Sequence, residues 1–365
     1  MATDPKLIIC VDGLGKDLVS EKNTPFLYDF GEKNYCSELE TLFAFTGIEY
    51  SFFSGKTPRE NNIWVEFIKS EDSIFNNWIL KILPKKIRDY FAGILQVSAK
   101  RTWISGLHNI PKNKLKYFDT SVERGIWELD FFHRKKFAVY KWPIFAMDNK
   151  RKLIFKYEND ENRLRRLSRI KEKEVYYVQL MGVDKAIHKF GKKNQKTKKA
   201  LKKIDCLIRK YVEKFLNENK NGKVFLWSDH GFADIKNYID LRDLLPMRKD
   251  YLFFIAGTTA HFWFKNDEIK EKIFERFKKI KGVSVLDERT AKKLQVPSSK
   301  KYGEVIFYIK KGNYFFPNFY QKSEKEKFKA MHGYPDDKEL NGFLISNKEI
   351  PKKIKIDKMS EVLNG

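Results

Sequence analysis

Apolar residues recur along this chain in two rhythms. Short β-branched and aromatic runs at 7–11, 137–140, 175–181, 224–227, 305–309 and 343–345 read as strands. Between them lie stretches with helical spacing. The clearest carries Leu201, Ile204, Ile208, Tyr211 and Phe215 on one face, with Gly222 as the stop signal. Strands alternating with helices over most of the length predict an α/β fold, with a mostly parallel central sheet flanked by helices. Two stretches break the rhythm. Residues 67–134 are aromatic and basic and form a predicted cap insertion. Within them 78–97 has a helical apolar pattern interrupted by Pro84, Lys85 and Lys86. That pattern suits a cap packed on the core or, as a second reading, a helix lying on a membrane surface. Residues 286–321, with Pro297, Gly312 and Pro317, are predicted as a loop-rich insertion. There is no internal repeat or low-complexity linker, so residues 1–365 are read as one domain bearing these insertions.

Composition narrows the class. Hydrophobic residues make up 42% of the chain and aromatics 15%, ample for a packed core, which excludes intrinsic disorder. No apolar run is long enough to cross a membrane as a helix. The start lacks the basic residues, long apolar stretch and cleavage site of a secretory leader, from which a cytoplasmic location is expected. Cys10, Cys36 and Cys206 are odd in number and scattered, so they form neither a disulfide framework nor a metal motif. Lys and Arg total 73 against 48 acidic residues, a net charge of +25. Such a surface attracts polyanions or acidic lipid headgroups and speeds the approach of a phosphate-bearing substrate. No RNA-recognition, helix-turn-helix or zinc-finger signature accompanies the charge, so specific nucleic-acid binding is not predicted.

The candidate chemistry lies in four short motifs beside predicted strand ends. Asp12-Gly13 ends the first strand. Asp184-x-x-x-His188 puts a carboxylate and an imidazole on one helical face, within reach of one cation. Ser228-Asp229-His230-Gly231 follows another strand directly, and His332-Gly333-Tyr334 forms a further turn. Each alone is commonplace: Asp-Gly and His-Gly are ordinary turns. Together they gain weight, because ligands of an open α/β sheet collect beyond the carboxyl ends of its strands, where Asp12, Asp184 and Asp229 are all delivered. Mixed Asp and His donors suit zinc, with manganese as the alternative, and their number suits two divalent ions. Of the remaining histidines, His261 reads as a satisfied core residue on a strand, and His108 and His133 as surface or cap residues.

In this order, and with a hydroxyl residue ahead of Ser54-Gly55-Lys56-x-Pro58, the motifs resemble the alkaline phosphatase superfamily. The Ser-Asp-His-Gly and His-Gly-Tyr elements are most similar to its type I phosphodiesterase and nucleotide pyrophosphatase branch. The resemblance implies that Asp184, His188 and His332 hold one ion. It implies that Asp12, Asp229 and His230 hold the other, with the nucleophile hydroxyl as a further ligand. That hydroxyl is expected at Thr46, nine residues before Gly55, with Thr41 and Ser51 as the other hydroxyls nearby.

The implied activity is cleavage of a phosphodiester or pyrophosphate bond through a phosphoryl-threonine intermediate. Nucleotides, sugar nucleotides, lipid headgroups and glycan phosphodiesters are all candidate substrates. The sister reading is a phosphomonoesterase or phosphotransferase using the same centre. The reading from another class is a catalytically inactive, basic polyanion- or membrane-binding scaffold. The chain departs from the branch in one respect. The branch places a phosphate-binding Asn shortly after the Pro turn, whereas Glu66 stands near that position here; Asn62, Asn61 beside it, or a lysine is the candidate replacement. The Cys/Ser-x-Pro-x-Arg motif of sulfatases is missing near Thr46, which argues against sulfate ester hydrolysis.

Overall fold

The apolar run Lys6–Val11 forms strand β1, and its neighbours grow outward from it into a nine-stranded sheet. The other strands, in chain order, are β2 (Tyr35–Glu40), β3 (Phe137–Lys141), β4 (Ile144–Met147) and β5 (Arg151–Phe155). They continue with β6 (Val175–Leu180), β7 (Lys223–Trp227), β8 (Gly342–Ser346) and β9 (Lys353–Lys355). Their spatial order is β9-β2-β8-β7-β1-β6-β3-β4-β5. This computed structural model describes residues 4–44, 46–98, 110, 112–148, 151–242, 244–245, 250–321, 323, 327–335 and 338–365.

The centre of the sheet, β7-β1-β6-β3, is parallel throughout. Only β4 and β8 run against the other seven strands, so the sheet is mostly parallel, as expected. Strands in such a centre are covered on both faces, which is why β6 is buried at every position. The helix expected around 201–215 is α4 (Gln195–Glu218), with Leu201, Ile204, Ile208, Val212 and Phe215 buried. Three further helices are α1 (Pro25–Lys33), α2 (Ile48–Ser54) and α3 (Gly182–Phe190).

Two strands expected from the pattern sit in unexpected company. Val305–Ile309 belongs to a separate four-stranded antiparallel sheet with Tyr251–Ile255, Thr259–Phe264 and Val283–Val285. The strand expected at 343–345 is β8, wedged antiparallel between β2 and β7. Apolar runs report burial and not direction, so neither placement was visible in the pattern. The 286–321 segment holds a short helix, Glu288–Lys293, and a strand, Asn313–Phe316, that pairs with Asn237–Asp240. In the 67–134 region, Pro84 separates two helices, Trp78–Ile82 and Lys85–Ser98, because proline has no N–H to donate to the preceding turn. His108 lies outside the described residues, and His133 is exposed.

Candidate metal centre and active site

The strand ends converge. Asp12 follows β1, Asp229 and His230 follow β7, and α3 begins just after β6 and carries Asp184 and His188. His332 follows the two-residue strand Ala330–Met331, which pairs with Ala233–Asp234 just beyond His230. The start of α3 is docked by Asp160, whose carboxylate oxygens accept from the Met181 and Gly182 amides at 3.0 and 2.8 Å.

Two groups of donor atoms result. In Asp184, His188 and His332 one ligand atom each lies within 4.8 Å of the others, and the same holds for Asp12, Asp184 and His230. Asp184 therefore belongs to both groups. Asp229 adjoins the second: its Oδ2 is 3.6 Å from His230 Nε2, while its Oδ1 accepts from the Gly13 and His230 amides, both at 3.1 Å. His230 Nε2 is 3.5 Å from Asp12 Oδ1, and His188 Nε2 is 3.4 Å from Asp184 Oδ1.

Two of the imidazoles, His188 and His230, are oriented as metal ligands require. His188 Nδ1 faces the Ala330 carbonyl at 3.0 Å and His230 Nδ1 faces the Gly231 carbonyl at 3.1 Å. A carbonyl only accepts, so each Nδ1 carries the proton and donates it, leaving Nε2 directed at the carboxylates. The His230 and His332 rings stack at 3.7 Å. Phe232 stands edge-on to all three histidines, 4.7 Å from His188, 5.4 Å from His230 and 5.3 Å from His332. Gly13 makes room for it: at φ +71°, a Cβ would lie 2.5 Å from the Phe232 ring and 3.2 Å from Asp184.

Burial and mutual charge perturb the ionisation of the clustered residues. Asp12, Asp184 and Asp229 are all buried. Burial, then the charge of Asp12, pushes the Asp229 carboxyl up to about 7, with His230 and the Gly13 amide pulling the other way. Burial alone would lower His230, but Asp229, Asp12 and Asp184 outweigh it and hold the imidazolium up at about 9. Burial likewise opposes ionisation of Asp184, yet His188, His230 and Lys185 bring it below the ordinary carboxylate value. Burial, with His230 and His188 alongside, drives His332 far down. Buried carboxylates and imidazoles clustered in this way are a donor set that could hold a divalent ion.

A family model described as type I phosphodiesterase / nucleotide pyrophosphatase matches residues 6–335, nearly the whole chain. The chain belongs to that family. Among solved structures it resembles murine ectonucleotide pyrophosphatase/phosphodiesterase 5, with a TM-score of 0.71, 12% identity, and coverage of 98% of this chain and 94% of that one. The human protein of the same name matches at TM-score 0.71 and 14% identity, covering 99% and 95%. An inactive threonine-to-alanine form of the murine protein, solved in complex with AMP, matches at TM-score 0.71 and 12% identity, covering 99% and 94%. At these identities the likeness shows the fold. No curated protein matches the sequence.

Within this family member the other expected residues fall as follows. Thr46 is half-buried just before Gly47, which caps α2 at φ +79°, and its amide donates to the Trp64 carbonyl at 3.2 Å. The neighbouring hydroxyls are engaged: Thr41 Oγ1 donates to the Asp229 carbonyl at 2.7 Å, and buried Ser51 accepts from Asn61 at 3.2 Å. Asn62 is exposed at the end of the Pro58–Asn61 helix and lines a pocket of about 500 Å³ with Lys56, Arg124 and Lys301; none of the six Asp and His residues lines it. His261 is the satisfied core residue expected, with Tyr302 and Thr259 as partners, and burial lowers it to about 4.

Sequence reasoning missed three supporting residues. Gln179 donates to Asp12 Oδ2 at 2.7 Å; a lone amide in the buried run Val-Tyr-Tyr-Val-Gln-Leu was the available signal. Phe232 gave no signal. Lys141 ends β3 and forms a buried ion pair with Glu49 on the first turn of α2. Burial lowers its ammonium to about 8, against the pull of Asp12, Cys10 and Asp229. A lysine just past the strand expected at 137–140 could have been found by the strand-end rule.

Proposed function

We propose that the chain is a metal-dependent hydrolase that cleaves phosphodiester or pyrophosphate bonds, with Thr46 as nucleophile. The observation that carries this reading is the convergence of Asp12, Asp184, His188, His230 and His332 at the carboxyl ends of the central strands. Asp184, His188 and His332 would hold one divalent ion; Asp12, Asp229 and His230, with Thr46, would hold the second, zinc being the best match to the donors. When bound, such ions lower the pKa of a coordinated hydroxyl and neutralise charge on phosphoryl oxygens.

The chain's own groups supply the rest. Thr46 Oγ1 attacks phosphorus in line, the bond to the leaving oxygen breaks, and water then releases the phosphoryl group from the threonine. The segment leading to Thr46 is anchored beside the Asp229 loop through Thr41, and α2 is tied to the β3 end through Glu49 and Lys141. Two details of the murine relative support the reading: its inactive form carries a threonine-to-alanine change, and it was solved with AMP.

The test is turnover of bis-p-nitrophenyl phosphate, the p-nitrophenyl ester of thymidine monophosphate, and p-nitrophenyl phosphate by zinc-reconstituted protein. Diester turnover should exceed monoester turnover, and Thr46→Ala should lower kcat about a thousandfold with zinc content retained. Faster monoester cleavage would move the assignment to a phosphomonoesterase. Full activity in Thr46→Ala would remove Thr46 as nucleophile.

A further inference from the structure

The helix Lys85–Ser98 packs Phe91, Ala92 and Leu95 toward the core and leaves a second apolar face to solvent. Its buried positions include Arg88, Ala92 and Gln96, four residues apart along one face. Ile87, Tyr90 and Ile94, which share another face, are exposed, as are Trp78 and Ile82 one turn apart on the preceding helix. These five large apolar side chains are 38 to 68% exposed. A helix that has already packed one apolar face inward gains nothing in folding from a second, and five large apolar side chains left in water on two successive helices mark an interaction site.

The surroundings favour one occupant. The turn Lys112–Tyr117 packs against Trp78–Ile82, with Tyr117 part-exposed and the Lys116 ammonium 4.8 Å from its ring. On the other side the aromatic surface continues: Tyr90 meets Phe155 at 5.7 Å, Phe155 meets exposed Tyr157 at 5.2 Å, and Tyr157 meets Trp142 at 5.4 Å. The Lys185 ammonium lies 4.5 Å over Trp142 and is adjacent in sequence to Asp184. Tryptophan and tyrosine at the rim of aliphatic side chains, with lysines beside them, are the composition of a bilayer interface. A chain of net charge +25 is drawn to an acidic surface, each lysine or arginine near it adding attraction.

We propose that the helical pair Trp78–Ile82 and Lys85–Ser98 docks the protein on an anionic bilayer, burying Trp78, Ile82, Ile87, Tyr90 and Ile94 at the headgroup boundary. No helix of the described residues is long and apolar enough to cross a membrane, so this is contact with one leaflet. The chain of aromatic contacts through Phe155, Tyr157 and Trp142 brings that leaflet's edge toward Asp184. The proposal does not depend on catalysis.

The test is co-sedimentation of the full chain with vesicles of phosphatidylcholine alone or with about one third phosphatidylserine. The chain should bind the anionic vesicles, and Ile87→Ser/Tyr90→Ser/Ile94→Ser should weaken partitioning about 100-fold with unchanged Tm, since all three side chains are exposed. Brominated acyl chains should quench tryptophan emission in the wild type and much less in Trp78→Phe, a readout that needs no triple variant. Equal binding by the triple variant, or no quenching difference at Trp78, would overturn the proposal. So would a dimer in solution that the triple variant dissolves and vesicles leave intact, because the face would then belong to a second copy.

Discussion

Asp184 is the one residue shared by both donor groups, so its loss should act differently from the loss of any other ligand. An ion that binds only the folded chain stabilises it by about 2.7 kcal/mol at one hundred times its dissociation constant. Unfolding entropy of about 2.1 cal/mol/K per residue gives roughly 770 cal/mol/K for 365 residues. One ion should therefore raise Tm by about 3.5 °C and two by about 7 °C. Chelator-stripped protein titrated with zinc in a thermal-shift assay should show the larger value, and His188→Ala about half of it. Asp184→Ala should show less than half, because it removes a ligand of one ion and a carboxylate beside the Asp12 and His230 donors of the other. Bound zinc by elemental analysis should fall from two in the wild type to one in His188→Ala and to one or fewer in Asp184→Ala. A full shift in Asp184→Ala, or no shift in the wild type at any zinc concentration, would refute the idea that these side chains form a metal centre.

Three other outcomes follow from the same contacts. Burial raises the Glu66 carboxyl to about 7, with Tyr320 pulling it down, so its neutral form is favoured in the folded chain. Its contribution to stability is complete below the unfolded value near 4.5 and is lost as pH rises through 7; Glu66→Gln should be more stable than wild type at pH 8 by up to about 3 kcal/mol, with the gap closing toward pH 4 in urea unfolding. Gly13→Ala forces a Cβ against Phe232 at positive φ and should cost about 2 kcal/mol by the same measurement, along with zinc affinity, because Phe232 packs all three ligand histidines. Lys141→Met leaves Glu49 buried without its cation and should destabilise by about 3 kcal/mol. Lys141→Met/Glu49→Leu should recover most of that, and a double variant as unstable as the single one would show that the pair is not coupled.

Much of this molecule was legible in the order of its residues. The run Leu-Ile-Ile-Cys-Val ending in Asp12 announces a buried strand with a carboxylate at its carboxyl end, and the Asp184/His188 spacing announces a helix with two donors on one face. These are local properties: a period of 2 or 3.6 needs no partner to be recognised. The family's mark is equally local, since each motif occupies only a few consecutive residues.

What the sequence by itself determined was thus which side chains stand at the ends of which strands, and so the class of fold and the candidate donors of the site. Only the tertiary structure decided how they share space. Asp184 lies near both donor groups because α3 starts at the end of β6, beside the end of β1, and Phe232 reaches three imidazoles because Gly13 leaves room for its ring. Lys141 and Glu49 meet across 92 residues of chain, and the antiparallel direction of β8 and of Val305–Ile309 depends on which neighbour each strand finds. Such pairings are long-range contacts whose free energy depends on geometry between elements, and no pattern within an element carries that geometry.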